Sequence, residues 1–135
     1  MIRFSFLIVL LTSLNVFAQD SKMNTPINTG VNMTVAILAV DSGIAVGDTI
    51  LGLYKYDDSV RVGGLTVWNG TRLAIALWGD DSTSDLKDGF LDGETIKWVR
   101  RKDNQDLELT PNYRIGSNNW QANGITIIEK INILR

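Results

Sequence analysis

Residues 78–94 read WGDDSTSDLKDGFLDGE, five aspartates and one glutamate against a single lysine. Asp80, Asp81, Asp85 and Asp88 offer hard oxygen ligands, with Asp92 and Glu94 beyond them, and Gly89 and Gly93 permit the sharp turns that gather carboxylates and carbonyls around one cation. The chemistry that suits such a set is calcium binding, since Ca²⁺ takes roughly six to eight oxygens at about 2.3–2.6 Å and tolerates irregular loops. The spacing is not that of an EF-hand, which places ligands at alternate positions and a glutamate at the twelfth. A conformational reading competes: Asp, Ser and Gly are turn formers whose side chains cap their own backbone.

Stacking on a ligand is the second chemistry the residue types allow. Tryptophans stand at 68, 78, 98 and 120, many for so short a chain, and exposed rings are how carbohydrate-binding modules hold sugars. Trp120, in GSNNWQANG, lies in a polar, loop-like context and is the first candidate for an exposed ring. Trp98 is the second. Packing in the core is the alternative for the whole set.

Other reactions are excluded by what is missing. The chain has no histidine and no cysteine, so Ser-His-Asp and Cys-His catalysis and imidazole or thiolate zinc sites are ruled out. A carboxylate pair could hydrolyse a glycoside, but a domain of this size leaves little room for a substrate cleft, and no catalytic residue is assigned. The reading is non-enzymatic. The short basic run Lys97, Arg100, Arg101 and Lys102 reads as a solvated strand end rather than an anion site.

The elements that must position these residues are strands. Apolar runs separated by turn signals occur at 33–40, 49–56, 60–68, 71–78, 94–101, 107–110, 112–115 and 124–134, intervals typical of a sandwich or barrel. Asn69-Gly70 predicts a type I′ hairpin joining the third run to the fourth. Gly63-Gly64 predicts a bulge or a close backbone approach. No segment after the first 18 residues sustains helical periodicity, and no internal repeat or linker is visible. The expectation is one all-β domain, a single antiparallel β-sandwich of roughly eight strands, immunoglobulin-like or jelly-roll-like.

Residues 1–18, MIRFSFLIVLLTSLNVFA, have the basic n-region, short apolar core and small residues of a secretory signal. The apolar run is interrupted by Thr12, Ser13 and Asn15 and falls short of the roughly 20 residues a spanning helix needs, so no membrane span is expected after its removal. The division is signal 1–18, polar leader 19–30 and β-sandwich 31–135. Cleavage removes Arg3, leaving 12 Lys+Arg (13 less one) against 15 Asp+Glu, a formal charge of −3. That balance argues against a nucleic-acid partner, whose phosphates call for clustered Lys and Arg.

Taken together, NTGVNMTVAIL, VGDTILGLYKYDDSVRVGGLTVW, LAIALWGDDSTSDLKDGFLDGETIKWVR and WQANGITIIEKI resemble a β-sandwich module recurring in secreted and cell-surface proteins of Bacteroidetes-type bacteria. Those modules show a GD-x-I-G strand, a VG strand and then WGDD…KDGF…GE; here the first is stretched by one residue to Gly47-Asp48-Thr49-Ile50-Leu51-Gly52. The resemblance implies an exported domain, extracellular, on the outer-membrane surface or in the periplasm. The expectation is a non-catalytic unit that binds or scaffolds at the cell envelope, its acidic loop organised by calcium, with an envelope protein or polysaccharide as partner. Two alternatives stand beside it: a small carbohydrate-binding module using Trp120 and Trp98, and a structural subunit that adds an edge strand to a neighbour, for which the run 124–134 is the candidate.

Overall fold

The computed structural model describes residues 25–135, so the signal at 1–18 and half of the polar leader lie outside the described residues. Seven strands follow one another: β1 (Asn32–Ile37), β2 (Thr49–Tyr56), β3 (Ser59–Val67), β4 (Leu73–Trp78), β5 (Lys97–Lys102), β6 (Gln105–Ile115) and β7 (Ile125–Ile133). They form one sheet in the order β3-β2-β5-β6-β7-β1-β4, and no helix occurs among the described residues. The all-β expectation holds. The sheet is mixed rather than antiparallel throughout, because β1 pairs in parallel with β7 and antiparallel with β4.

A single sheet of this size buries one face only if it curls. Its two outermost strands, β3 and β4, meet side by side, which makes the sheet a nearly closed barrel rather than two stacked layers. Glycine makes the meeting possible: a Cβ on Gly64 would lie 2.1 Å from the Ala76 carbonyl oxygen. Gly63 is the extra residue of a bulge, since Gly52 pairs with Gly64 but Leu53 pairs with Val62. The bulge and the close approach expected of Gly63-Gly64 are thus both present.

Alternation fills the interior. Ile50 and Tyr54 of β2, Ile75 and Leu77 of β4, Ile96 and Trp98 around β5, and Ile128 and Ile131 of β7 point into one buried cluster. A second, smaller cluster, Leu51, Leu53, Val62 and Val99, lies on the opposite face of β2, β3 and β5. β2 is therefore apolar on both faces, which explains its unbroken hydrophobic run.

Three expectations are corrected. The runs at 107–110 and 112–115 are one strand, β6, with Pro111 inside it opposite Ile131. Proline is tolerated there because the β5–β6 ladder ends at Leu109, so beyond it one side of β6 has no partner. The Asn69-Gly70 hairpin does not form. Gly70 has φ +87°, yet Asn69 is not left-handed; its Oδ1 accepts the Thr71 amide at 3.0 Å, and the chain leaves β3 to pair β4 with β1. The Trp68 backbone is already taken by Gly47 and Asp48. Finally, β7 is not an edge, being paired to β6 on one side and β1 on the other, so the run at 124–134 cannot add itself to another sheet.

A turn recurs three times at one end or the other of the barrel. In Ala45-Val46-Gly47-Asp48, Leu91-Asp92-Gly93-Glu94 and Gln121-Ala122-Asn123-Gly124 the fourth amide donates to the first carbonyl at 3.0 Å. The third residue has φ +96°, +83° and +58° respectively, with the second not left-handed, which is the type II turn and explains the glycine or asparagine at that place.

Candidate functional site

The acidic segment connects β4 to β5 across one end of the barrel. It is anchored by Phe90, whose amide donates to the Trp78 carbonyl at 3.0 Å and whose carbonyl accepts the Asp80 amide at 2.8 Å. The ring is buried, stacked on Trp120 with centroids 6.2 Å apart and edge-on to Tyr54 at 5.6 Å. It fills the space left by the missing side chain of Gly63, where a Cβ would come within 2.2 Å of the ring. The loop is therefore pinned into the core at one residue and must close on itself on either side.

The aspartates do the closing. Asp80 Oδ1 accepts the Asp88 amide at 2.9 Å, and Asp88 Oδ1 accepts the Asp81 amide at 2.7 Å. Asp81 Oδ1 accepts both the amide and the hydroxyl of Thr83, at 2.9 and 2.6 Å, and these bonds hold its carboxyl below the usual range. Asp88 Oδ2 accepts the Ser84 hydroxyl at 3.2 Å. Asp92 Oδ1 reaches across to accept the Ala122 amide at 2.8 Å. Asp85 is exposed.

Glu94 is the hinge of the arrangement. Its Oε2 accepts the Leu91 amide at 3.0 Å, closing the type II turn, while Oε1 accepts the Lys55 amide at 3.2 Å and the Lys87 ammonium. Lys87 also donates to the Lys55 carbonyl at 2.7 Å. Asp48 does the same work in the first turn, its Oδ2 accepting the Ala45 amide at 2.9 Å, with Arg100 and Lys102 at 3.7 and 3.9 Å. The Gly-Asp and Gly-Glu pairs of the motif are thus structural units: glycine takes the left-handed position and the next acid caps the turn. Asp48 stands in the sequence only as part of the Gly47-Asp48 motif, and its capping role is foreshadowed by the matching pair Gly93-Glu94.

The four residues expected to ligate calcium, Asp80, Asp81, Asp85 and Asp88, are not brought around one point. No group of three or more acidic side chains among the described residues is placed to hold a metal ion. Asp80 Oδ1, Asp81 Oδ1 and both oxygens of Asp88 are engaged with amides and hydroxyls of the loop itself.

The two tryptophans expected to stack on a sugar are in the core. Trp120 is 2% exposed and Trp98 1%. The indole of Trp120 donates to the Leu77 carbonyl at 2.9 Å, and its backbone is clamped to Gly93 and Glu94. Trp98 Nε1 is shared between Tyr113 Oη at 3.2 Å and Asn118 Oδ1 at 3.1 Å, and Tyr113 in turn donates to Asn118 at 2.7 Å. Asn118 Nδ2 completes the knot on the Ile96 carbonyl at 2.8 Å. Burial pushes the Tyr113 phenol up to about 12. The polar residues around Trp120, read as a sign of exposure, belong to turns that fold over the ring.

On the side wall, a cavity of about 570 Å³ is floored by Leu53 and Val60 and rimmed by Lys55, Lys97, Asp57 and Asp58. It is shallow and its charges cancel. Comparison with family models, curated proteins and solved structures returned no match. No helix of the described residues is long and apolar enough to cross a membrane, which says nothing of crossing by strands.

Proposed function

We propose that this is a secreted, non-catalytic β domain that binds or scaffolds at the bacterial cell envelope, presenting a rigid acidic loop to an envelope protein or polysaccharide. The observation that carries the reading is the way the loop is built. Phe90 fixes it to the core, and its carboxylates satisfy its own amides. A loop ordered in this manner offers a preformed surface and loses little conformational freedom on binding. Export rests on the signal at 1–18, and the envelope context on the resemblance to modules of cell-surface proteins.

The carbohydrate-binding alternative has to use groups other than Trp98 and Trp120, whose rings are enclosed. Calcium enters the reading only if the loop gathers more carboxylates than it now brings together, since no three of them are placed around one point. Affinity electrophoresis of the exported protein through soluble polysaccharides, with calcium and then with chelator, tests both. Retardation by one glycan turns the partner into a polysaccharide, and loss in chelator ties the loop to a metal. With no retardation, cross-linking on intact cells should capture an envelope protein; failure of both overturns the reading.

A further inference from the structure

Asparagine is among the thermolabile residues, and it is most open to loss where glycine follows, because no side chain then shields the nitrogen that attacks its amide. The chain holds two such pairs, Asn69-Gly70 and Asn123-Gly124, and the fold treats them differently. At the second pair the glycine nitrogen is engaged. Its N–H donates to the Gln121 carbonyl at 3.0 Å, closing a type II turn, and the Asn123 amide is tied to the Asn32 carbonyl at 2.9 Å. At the first pair the Gly70 N–H finds no acceptor among the described residues, and residues 69–72 are all exposed. Both flanks of this nitrogen are nonetheless held. The Trp68 backbone is bonded to Gly47 and Asp48 at 2.9 Å, and the Thr71 amide donates to Asn69 Oδ1 at 3.0 Å.

The bond to Thr71 sets up the reaction. It closes a ring that contains both Asn69 Cγ and the Gly70 nitrogen, so the side chain is folded toward that nitrogen, and it draws electron density from the amide carbonyl. We propose that Asn69 deamidates spontaneously in the folded protein while Asn123 is spared. The Gly70 nitrogen gives its proton to solvent base and bonds to Asn69 Cγ; the Cγ–Nδ2 bond breaks and ammonia leaves. Water then opens the cyclic imide at either carbonyl. Opening at Cγ yields aspartate, and opening at the main-chain carbonyl yields isoaspartate, in which the chain runs through the former side chain. The net change is amide and water to carboxylate and ammonium, with nothing oxidised or reduced. Each converted copy gains a negative charge before β4, whereas the acidic loop follows it, so the proposal is independent of what that loop binds.

Peptide mapping of the exported protein tests this. Trypsin, cutting after lysine and arginine, releases Asn69 in residues 62–72, where it is the only asparagine, and Asn123 in residues 115–130. After incubation in mildly alkaline buffer, with tryptophan fluorescence unchanged to show that the fold persists, peptide 62–72 should gain the mass of acid over amide and split into two chromatographic forms. Asn123 should trail by about tenfold or more, because its turn must first open. In urea, where neither pair is held, the two asparagines should convert at similar rates. Conversion at Asn69 should quicken as pH rises, since the attacking nitrogen must lose its proton. Asn69→Gln, whose longer side chain cannot close the same ring, should leave peptide 62–72 unaltered. An Asn69 that persists in the folded protein while it converts in urea, or two asparagines that convert alike in the folded protein, would overturn the inference. So would a mass gain that survives in peptide 62–72 of Asn69→Gln.

Discussion

The fit of Phe90 against Gly63 sets a stability experiment whose sign is fixed by geometry. Gly63→Ala places a methyl group 2.2 Å from the ring, far inside van der Waals contact, and overpacking of this kind costs about 1–3 kcal/mol. Phe90→Leu removes part of a fully buried ring and its aromatic contacts with Trp120 and Tyr54, a loss of about 2 kcal/mol once the pair terms are included. The shorter leucine vacates the space the alanine methyl needs, so the double variant should be less destabilised than the sum of the singles by about 1 kcal/mol or more. All three should remain folded, since a domain of this size has about 5–15 kcal/mol to lose. Urea unfolding followed by tryptophan fluorescence gives the three values, with unchanged slope as the check that the unfolding reaction is the same. Additivity to within about 0.5 kcal/mol would refute the idea that the acidic loop is anchored through this contact.

Glu94→Gln should lose the Lys87 pair and weaken the caps on Leu91 and Lys55, costing about 1–3 kcal/mol in the same assay, whereas Asp85→Asn should cost nothing measurable. The Gly43 amide, then the Ile133 amide, hold the Asp41 carboxyl below its ordinary 3.8, with Arg135 helping. Its contribution is therefore present above that value and lost as pH falls through the lower folded one, and a denaturation series in acid should flatten in Asp41→Asn. Tyr113, pushed up to about 12 by burial, favours its neutral form in the folded chain, so stability should fall as pH rises from its ordinary 10.0 toward that value. Ultraviolet titration should show a late phenolate step that vanishes in Tyr113→Phe.

The strands were legible because alternation is a local property. The 49–56 run matches β2 to the residue, and the doubled glycine at 63–64 marked a real bulge. Pairing was not legible to the same degree. Asn69-Gly70 carries the composition of a tight hairpin, but the Trp68 backbone it would have used is held by Gly47 and Asp48, twenty residues back in the chain, and a local signal loses to that contact. The runs at 107–110 and 112–115 are separated in the sequence by Pro111, which has no amide to donate, and only the end of the β5–β6 ladder at Leu109 shows why one strand can pass through it. The surroundings of the candidate site residues were not legible, for one consistent reason. Aspartates and tryptophans look alike in sequence whether they face a ligand or their own fold; here the carboxylates of Asp80, Asp81 and Asp88 bond to the loop's own amides and hydroxyls and the rings of Trp98 and Trp120 are buried.

The parallel seam between β1 and β7 fixes the order in which the molecule can be completed. β1 has β4 and β7 as its hydrogen-bonded neighbours, so the β1–β4 pair has no hydrogen-bonded link to the rest of the sheet until residues 125–133 have been made. Pairing across so much intervening chain is entropically slow. Strands β3, β2, β5 and β6 are a contiguous antiparallel run that can pair earlier, and β7 is what joins that run to the β1–β4 pair. Removal of residues 125–133 takes away the strand that stitches the two halves together.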